Sequence, residues 1–268
     1  MKRLRHAAVF AVSVTAFLAP GTAVAATAPG YEQFSDCPDR SVNSAITGCA
    51  VTEVVSGHLQ MGSKDTPIVD PIRLVVGFDV SGNATLGSFD GGRQRIPGGL
   101  IGITGLDWLR FIYPLNALQI YAEPELAGPV TSAFPPIGLP LKVQLHNVLL
   151  NNSCYIGANN DPIALNLITG TTAPPPPNQP ITGSDATSFA EHPTLPDVFL
   201  VGGIKLVDNE FAAPAARNCD LLSLNLLVTG LVNLQSGLPS AAGTNEAIQN
   251  VNLTLATTNA VYPPNGIE

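Results

Sequence analysis

Residues 139–149 (LPLKVQLHNVL) constrain the fold more than any other stretch of the chain. Leu139, Leu141, Val143 and Leu145 fall on one side of an extended backbone, and Lys142, Gln144 and His146 on the other. A period of two describes a strand with one face on a core and one on solvent, the pattern of an antiparallel sheet. Residues 118–123 (LQIYAE), 163–168 (IALNLI) and 251–257 (VNLTLAT) repeat it. Residues 71–80 and 199–207 read as further strands. Residues 49–62 (CAVTEVVSGHLQMG) are rich in β-branched side chains. They fit either two strands around a turn at Ser56-Gly57 or one bulged strand. The 25 glycines and 24 prolines cut such segments short. Roughly eight to ten strands and one or two short helices result. The fold class is mainly β, an antiparallel β-sandwich or barrel-like arrangement rather than an alternating βαβ plan. No internal repeat of fixed period is present.

Between the strands, residues 26–36 read as an extended lead-in, 81–83 as a turn, and 87–99, polar and Gly-rich, as a loop. Residues 98–113 (GGLIGITGLDWLRFIY) are ambiguous; one option is a short helix through Tyr113 that Thr104 caps and Pro114 stops. Residues 209–216 suit one helical turn. Residues 221–235 are almost continuously apolar and fit either a buried helix or a buried strand pair; Gly237 followed by Pro239 suits a helix end and favours the helix. Residues 170–188 hold four consecutive prolines, which predicts an extended surface connector.

The first 25 residues read as a secretory signal peptide. A basic start (Lys2, Arg3, Arg5) precedes an apolar run over 7–18, and Ala23-Val24-Ala25 fits a small-x-small cleavage site. Cleavage near Ala25 leaves residues 26–268 as a single secreted β-rich domain, released rather than anchored, since no later stretch is long and apolar enough to span a bilayer. The whole chain carries a net charge of −8. Losing Lys2, Arg3 and Arg5 makes it −11, a balance that argues against a nucleic-acid partner. Cys37, Cys49, Cys154 and Cys219 all lie in the exported part. With no CxxC and no histidine beside a cysteine, they predict two disulfides rather than a metal site. Three pairings are open; the closeness of the first two cysteines favours Cys37–Cys49 with Cys154–Cys219.

Catalytic patterns are sparse. No GxSxG, HExxH, GxxxxGK[ST] or plausible GxGxxG occurs, so no cofactor and no metal is expected. His58, His146 and His192 are the candidate bases of the exported part, each better read as an ordinary surface histidine. Glu123 with Glu125, and Asp208 with Glu210, are the carboxylate pairs a glycosidase would need. Asn83, Asn151 and Asn252 fall in N-x-[ST] patterns and read as surface turn residues.

Three stretches together carry a family resemblance. They are Cys154-Tyr-Ile-Gly157 through 165–172 (LNLITGTT) to the Pro174–Pro177 run; 206–209 (LVDN) with Phe211 to Cys219; and 237–245 (GLPSAAGTN). The order resembles a family of secreted actinobacterial proteins, and 97–105 (PGGLIGITG) with 125–128 (ELAG) are similar to it too. The resemblance implies export and a two-disulfide pattern, and carries over no activity and no site residue.

Trp108, Phe111 and Tyr113 cluster with aliphatic neighbours around Arg110. They either fill a core or contact an apolar ligand. The leading expectation is a secreted, disulfide-stapled, non-enzymatic extracellular or cell-surface protein with a structural or interaction role, through a cell-surface partner or self-association. The alternative is a secreted carrier of an apolar ligand such as a lipid, and an unrecognised hydrolase comes last. A closed apolar cavity in place of a filled core distinguishes the carrier.

Overall fold

The computed structural model describes residues 26–99, 119–148, 150–219 and 225–263. The expected signal peptide over 1–25, the helix expected at 104–113, and Trp108, Phe111 and Tyr113 lie outside the described residues.

The expected extended lead-in is instead a run of turns with a 3-10 turn at Glu32–Phe34. It leads into β1 (Gly48–Met61), β2 (Lys64–Ile68), β3 (Ile72–Phe78), β4 (Ala84–Asp90) and β5 (Gln94–Arg95). Next come β6 (Tyr121–Leu126), β7 (Ile137–His146), β8 (Tyr155–Ile156) and β9 (Ile163–Leu167). The chain continues through β10 (Ser188–Glu191), β11 (Val198–Asp208), β12 (Ala216–Arg217), helix α1 (Asn225–Ser236), β13 (Glu246–Thr257) and α2 (Thr258–Val261). Two antiparallel sheets hold the strands. The first runs β10-β11-β13-β1-β3-β4, with β2 beside β3 on the same edge of β1. The second runs β12-β8-β7-β6-β5, with β9 beside β8 on β7. Isolated bridges, Ile168 to Val207 and Asn83 to Ser132, stitch the two sheets together, but the ladders do not close into a barrel.

The clearest alternation in the sequence becomes β7, in which buried and half-buried residues alternate without a break from Ile137 to His146. Its inward row, Leu139, Leu141, Val143 and Leu145, packs in one core with Val54, Leu74 and Val76 of the first sheet. Residues 49–62 form one bulged strand. Up to the bulge, Ala50 and Val54 face that core; beyond it, Leu59 and Met61 do. The inward set thus moves from even to odd positions. The register shift falls between Val54 and Ser56, and leaves Val55 44% exposed. Gly57 follows with φ 140°, where a Cβ would stand 2.0 Å from the Ile248 carbonyl oxygen, so only glycine fits the ladder there.

The near half of β1 is buried on both faces. Val51, Val75, Val198 and Ala256 point away from the main core and are covered by Tyr31, Phe34, Val261 and Tyr262. The beginning and end of the described chain meet here: Ala28 N–H donates to the Val261 carbonyl at 2.9 Å, and the Tyr262 hydroxyl to the Cys37 carbonyl at 2.6 Å. The Cys37–Cys49 disulfide locks this cover onto β1. Cys154–Cys219 joins the approach to β8 with the residues after β12, at 0% exposure for both sulfur-bearing residues. Both favoured pairings are therefore present.

Four expectations need correction. Residues 87–99 are not all loop: β4 and β5 occupy 84–90 and 94–95, because the neighbouring strands supply ladders that the polar sequence does not advertise. Gly87 permits β4, since a Cβ there would meet the Asp36 carbonyl oxygen at 2.1 Å. Residues 209–216 form no helical turn. Ala213 and Ser240 exchange both backbone hydrogen bonds and hold that segment extended. Asn252 stands in β13, opposite Glu53, rather than in a turn. Residues 26–36 coil over the sheet rather than running straight, because Tyr31 and Phe34 are buried against it. The described part of the 221–235 helix is present as α1, and Gly237 ends it with φ 65°.

Loop-closure entropy sets the size of one expected effect. Replacing Cys154 and Cys219 together by Ala, which opens a loop of 65 residues' separation, lowers unfolding free energy by about 4 kcal/mol. Urea denaturation of the double variant checks this, and a loss below about 1 kcal/mol contradicts it.

Candidate functional site

Where the two inner faces part, β1, β2, β3, β6 and β7 leave an aliphatic cavity, with α1 and the residues after it forming part of the wall. About 80 Å³ stays open to the centres of water-sized molecules. That is about half the ~150 Å³ of an engineered apolar cavity that takes up benzene, so the space suits a short apolar group. Most of the lining is Leu, Ile and Val, with Ala122, Val143 and Ile137 representative of the β6–β7 side. A cavity lined mostly by aliphatic groups offers few partners to hold water and favours a largely apolar occupant.

The polar residues of the lining are few. Gln94 is 3% exposed and spends its side chain on structure: its carbonyl accepts from Val69 N–H at 2.8 Å and Asp70 N–H at 3.1 Å, and its amide donates to the Asp70 carbonyl at 2.6 Å. Thr52, Thr66 and Gln249 are buried in the wall. Lys64 is the one charged side chain among the described lining residues. It stands on β2 with Thr66 and Ile68 in the inward set of alternate positions, while Asp65 and Pro67 face out. Burial pushes its ammonium pKa below the usual lysine range.

The β1–β2 hairpin that carries Lys64 is clamped in place. Ser63 N–H donates to the Ser236 carbonyl, and the Ser63 hydroxyl to the Gln235 carbonyl, each at 2.9 Å, which satisfies free carbonyls at the end of α1. Gly62 N–H donates to Asn245 Oδ1 at 2.9 Å. Asn245 is fully buried and fills all its bonding positions: Oδ1 also accepts from the Ser240 hydroxyl at 2.6 Å, and Nδ2 donates to the Phe211 and Ala241 carbonyls. The proline run docks beside it, with Asn178 Nδ2 donating to the Asn245 carbonyl at 2.7 Å. Asn178, Phe211 and the 240–245 segment therefore meet around one buried asparagine.

The carboxylate pairs are occupied elsewhere. Glu123 and Glu125 share the outward face of β6. Glu123 accepts from Arg93 Nε at 2.7 Å and lies 2.9 Å from His146 Nε2, an electrostatic contact rather than an aligned hydrogen bond. Glu125 pairs with Lys142 at 3.3 Å and accepts from the Tyr155 hydroxyl at 3.0 Å. His58 lies between Asp65 and Glu246, 3.0 Å from each, and His192 accepts from the N–H groups of its own turn. Asp208 is 2% exposed; one oxygen accepts from Asn166 N–H at 2.7 Å and the other from Glu210 N–H at 2.8 Å. Burial raises its pKa despite those bonds. Glu210 accepts from Ala173 N–H, so this pair braces backbone. Among the described residues no group of three or more His, Cys, Asp or Glu is placed to hold a metal ion.

Sequence reasoning placed ligand contacts at Trp108, Phe111 and Tyr113, which lie outside the described residues, and missed the strand-built lining. The available signal was Lys64 in the inward row of KDTPI. No family model, curated protein or solved structure matches the chain.

Asp208 yields a signed prediction. Asp208→Asn sets an amide N–H against a backbone N–H and costs about 1–3 kcal/mol. The folded pKa lies above the unfolded one, so the native state holds the proton more tightly. This group's contribution is complete in acid and fades as pH rises through the elevated folded value. Denaturation from pH 3 to 7 is expected to show the wild-type advantage largest in acid and narrowing towards neutrality.

Proposed function

We propose that the protein is exported, with its signal peptide removed near Ala25, and acts as a non-enzymatic carrier of an apolar ligand held between its sheets. The aliphatic cavity carries this reading. Two buried disulfides fit an oxidising compartment, and no helix among the described residues is long and apolar enough to cross a membrane. The resemblance to secreted actinobacterial proteins supports export.

A second reading, an interaction protein acting at the cell surface, draws on one edge of the first sheet. All four residues of β10 are exposed, and Phe189, 66% exposed, stacks on Phe199 at 5.3 Å. An exposed edge strand is a template for pairing with another chain.

Native mass spectrometry of protein from its own host's culture medium separates the two. Extra mass of a few hundred daltons that leaves on denaturation supports the carrier; a clean multiple of the bare chain supports self-association through the edge. A mass four hydrogens below that of residues 26–268 verifies cleavage and both bridges. Filling the cavity gives a direct check. Ala122→Phe is expected to remove ligand binding while lowering stability by about 1–3 kcal/mol, the usual effect of overpacking. Unchanged ligand content in this variant overturns the carrier reading.

A further inference from the structure

We infer that the cavity selects an amphiphile with an acidic head, and that Lys64 at its wall is the counter-charge that makes the selection. This rests on the carrier reading and specifies its ligand class.

No hydrogen bond or ion pair reaches the Lys64 ammonium among the described residues, whereas Arg73 pairs with Asp36, Arg93 with Glu123 and Lys142 with Glu125. Its neighbour Asp65 is turned to the opposite face of β2, where it meets His58 at 3.0 Å. A half-buried ammonium without a carboxylate is costly in a wall of Leu, Ile and Val, and burial already disfavours its charged form. The hairpin is nevertheless fixed against α1 and Asn245, which sets the backbone of Lys64 at the cavity wall. A carboxylate carried in by the ligand supplies the missing partner, with its hydrocarbon tail in the aliphatic space beyond.

The overall charge sharpens the point. A chain of net charge −8 repels anions in general. An anionic head reaches this cavity favourably only through a local positive group, and Lys64 is the one charged group among the described lining residues. Thr66 and Gln249 add polar lining without charge. A neutral amphiphile gains the same apolar burial but leaves Lys64 unpartnered.

The test compares delipidated protein with both disulfides intact against hexanoate and hexanol by calorimetry, at neutral pH and low ionic strength. These probes share one tail and differ only in head charge. Wild type is expected to bind the acid roughly ten- to a hundred-fold more tightly, the range for a charge-assisted contact. Lys64→Met is expected to erase that preference while leaving hexanol binding unchanged, and Lys64→Arg to keep most of it. Equal binding of the two probes by wild type, or a preference that survives Lys64→Met, overturns the role of Lys64 and leaves the carrier reading standing. Failure of wild type to bind either probe overturns both.

Discussion

The structure depends on the hydrogen bonding of β1. This one strand accepts β13 along nearly its whole length on one side and, on the other, β3 followed by β2. Because β2 and β3 divide that edge between them, each leaves its own stretch of β1 to face the second sheet. The near half is a fully covered slab, with cores on both faces. The far half, beyond the bulge, has only one covered face and borders the open space. The same strand thus provides a rigid anchor and a cavity wall.

The two disulfides reinforce different parts of this plan. Cys37–Cys49 belongs to the smaller core, where Tyr31, Phe34 and Tyr262 shield the outer side of β1. Cys154–Cys219 belongs to the main core and fixes the short β8–β12 ladder against β7. Charged residues are only 12% of the chain, and the ion pairs lie on outer faces, as with the β6–β7 pairs. Exposed pairs of this kind contribute little to stability. Apolar burial, backbone ladders and cross-links carry the fold instead.

What was legible in the sequence follows from this physics. β7, β9 and β13 declare themselves because each has one dry and one wet side, and alternation survives wherever that holds. The β1 segment was ambiguous because the extra residue changes which positions face inward midway. β4, β5 and β12 were invisible or misread: they are short or polar, and only their neighbours make them strands. The cavity was illegible for another reason. Its lining is drawn from strands far apart in sequence, and what marks it is missing volume, which no local pattern records. Lys64 was readable in principle, as a cation in the inward row of a short strand, but only once the fold says which row is inward.

The unpaired residue at Val55 has a bearing on how relatives of this chain can be recognised. A homologue with one residue fewer here would close the ladder into regular alternation and still send Leu59 and Met61 inward, because Val54 and Ser56 already stand opposite the consecutive residues Val251 and Asn250. In an alignment, a single gap at this point therefore leaves the lining unchanged, whereas a gap later in the strand, with no bulge to absorb it, would turn His58 and Gln60 inward in place of Leu59 and Met61.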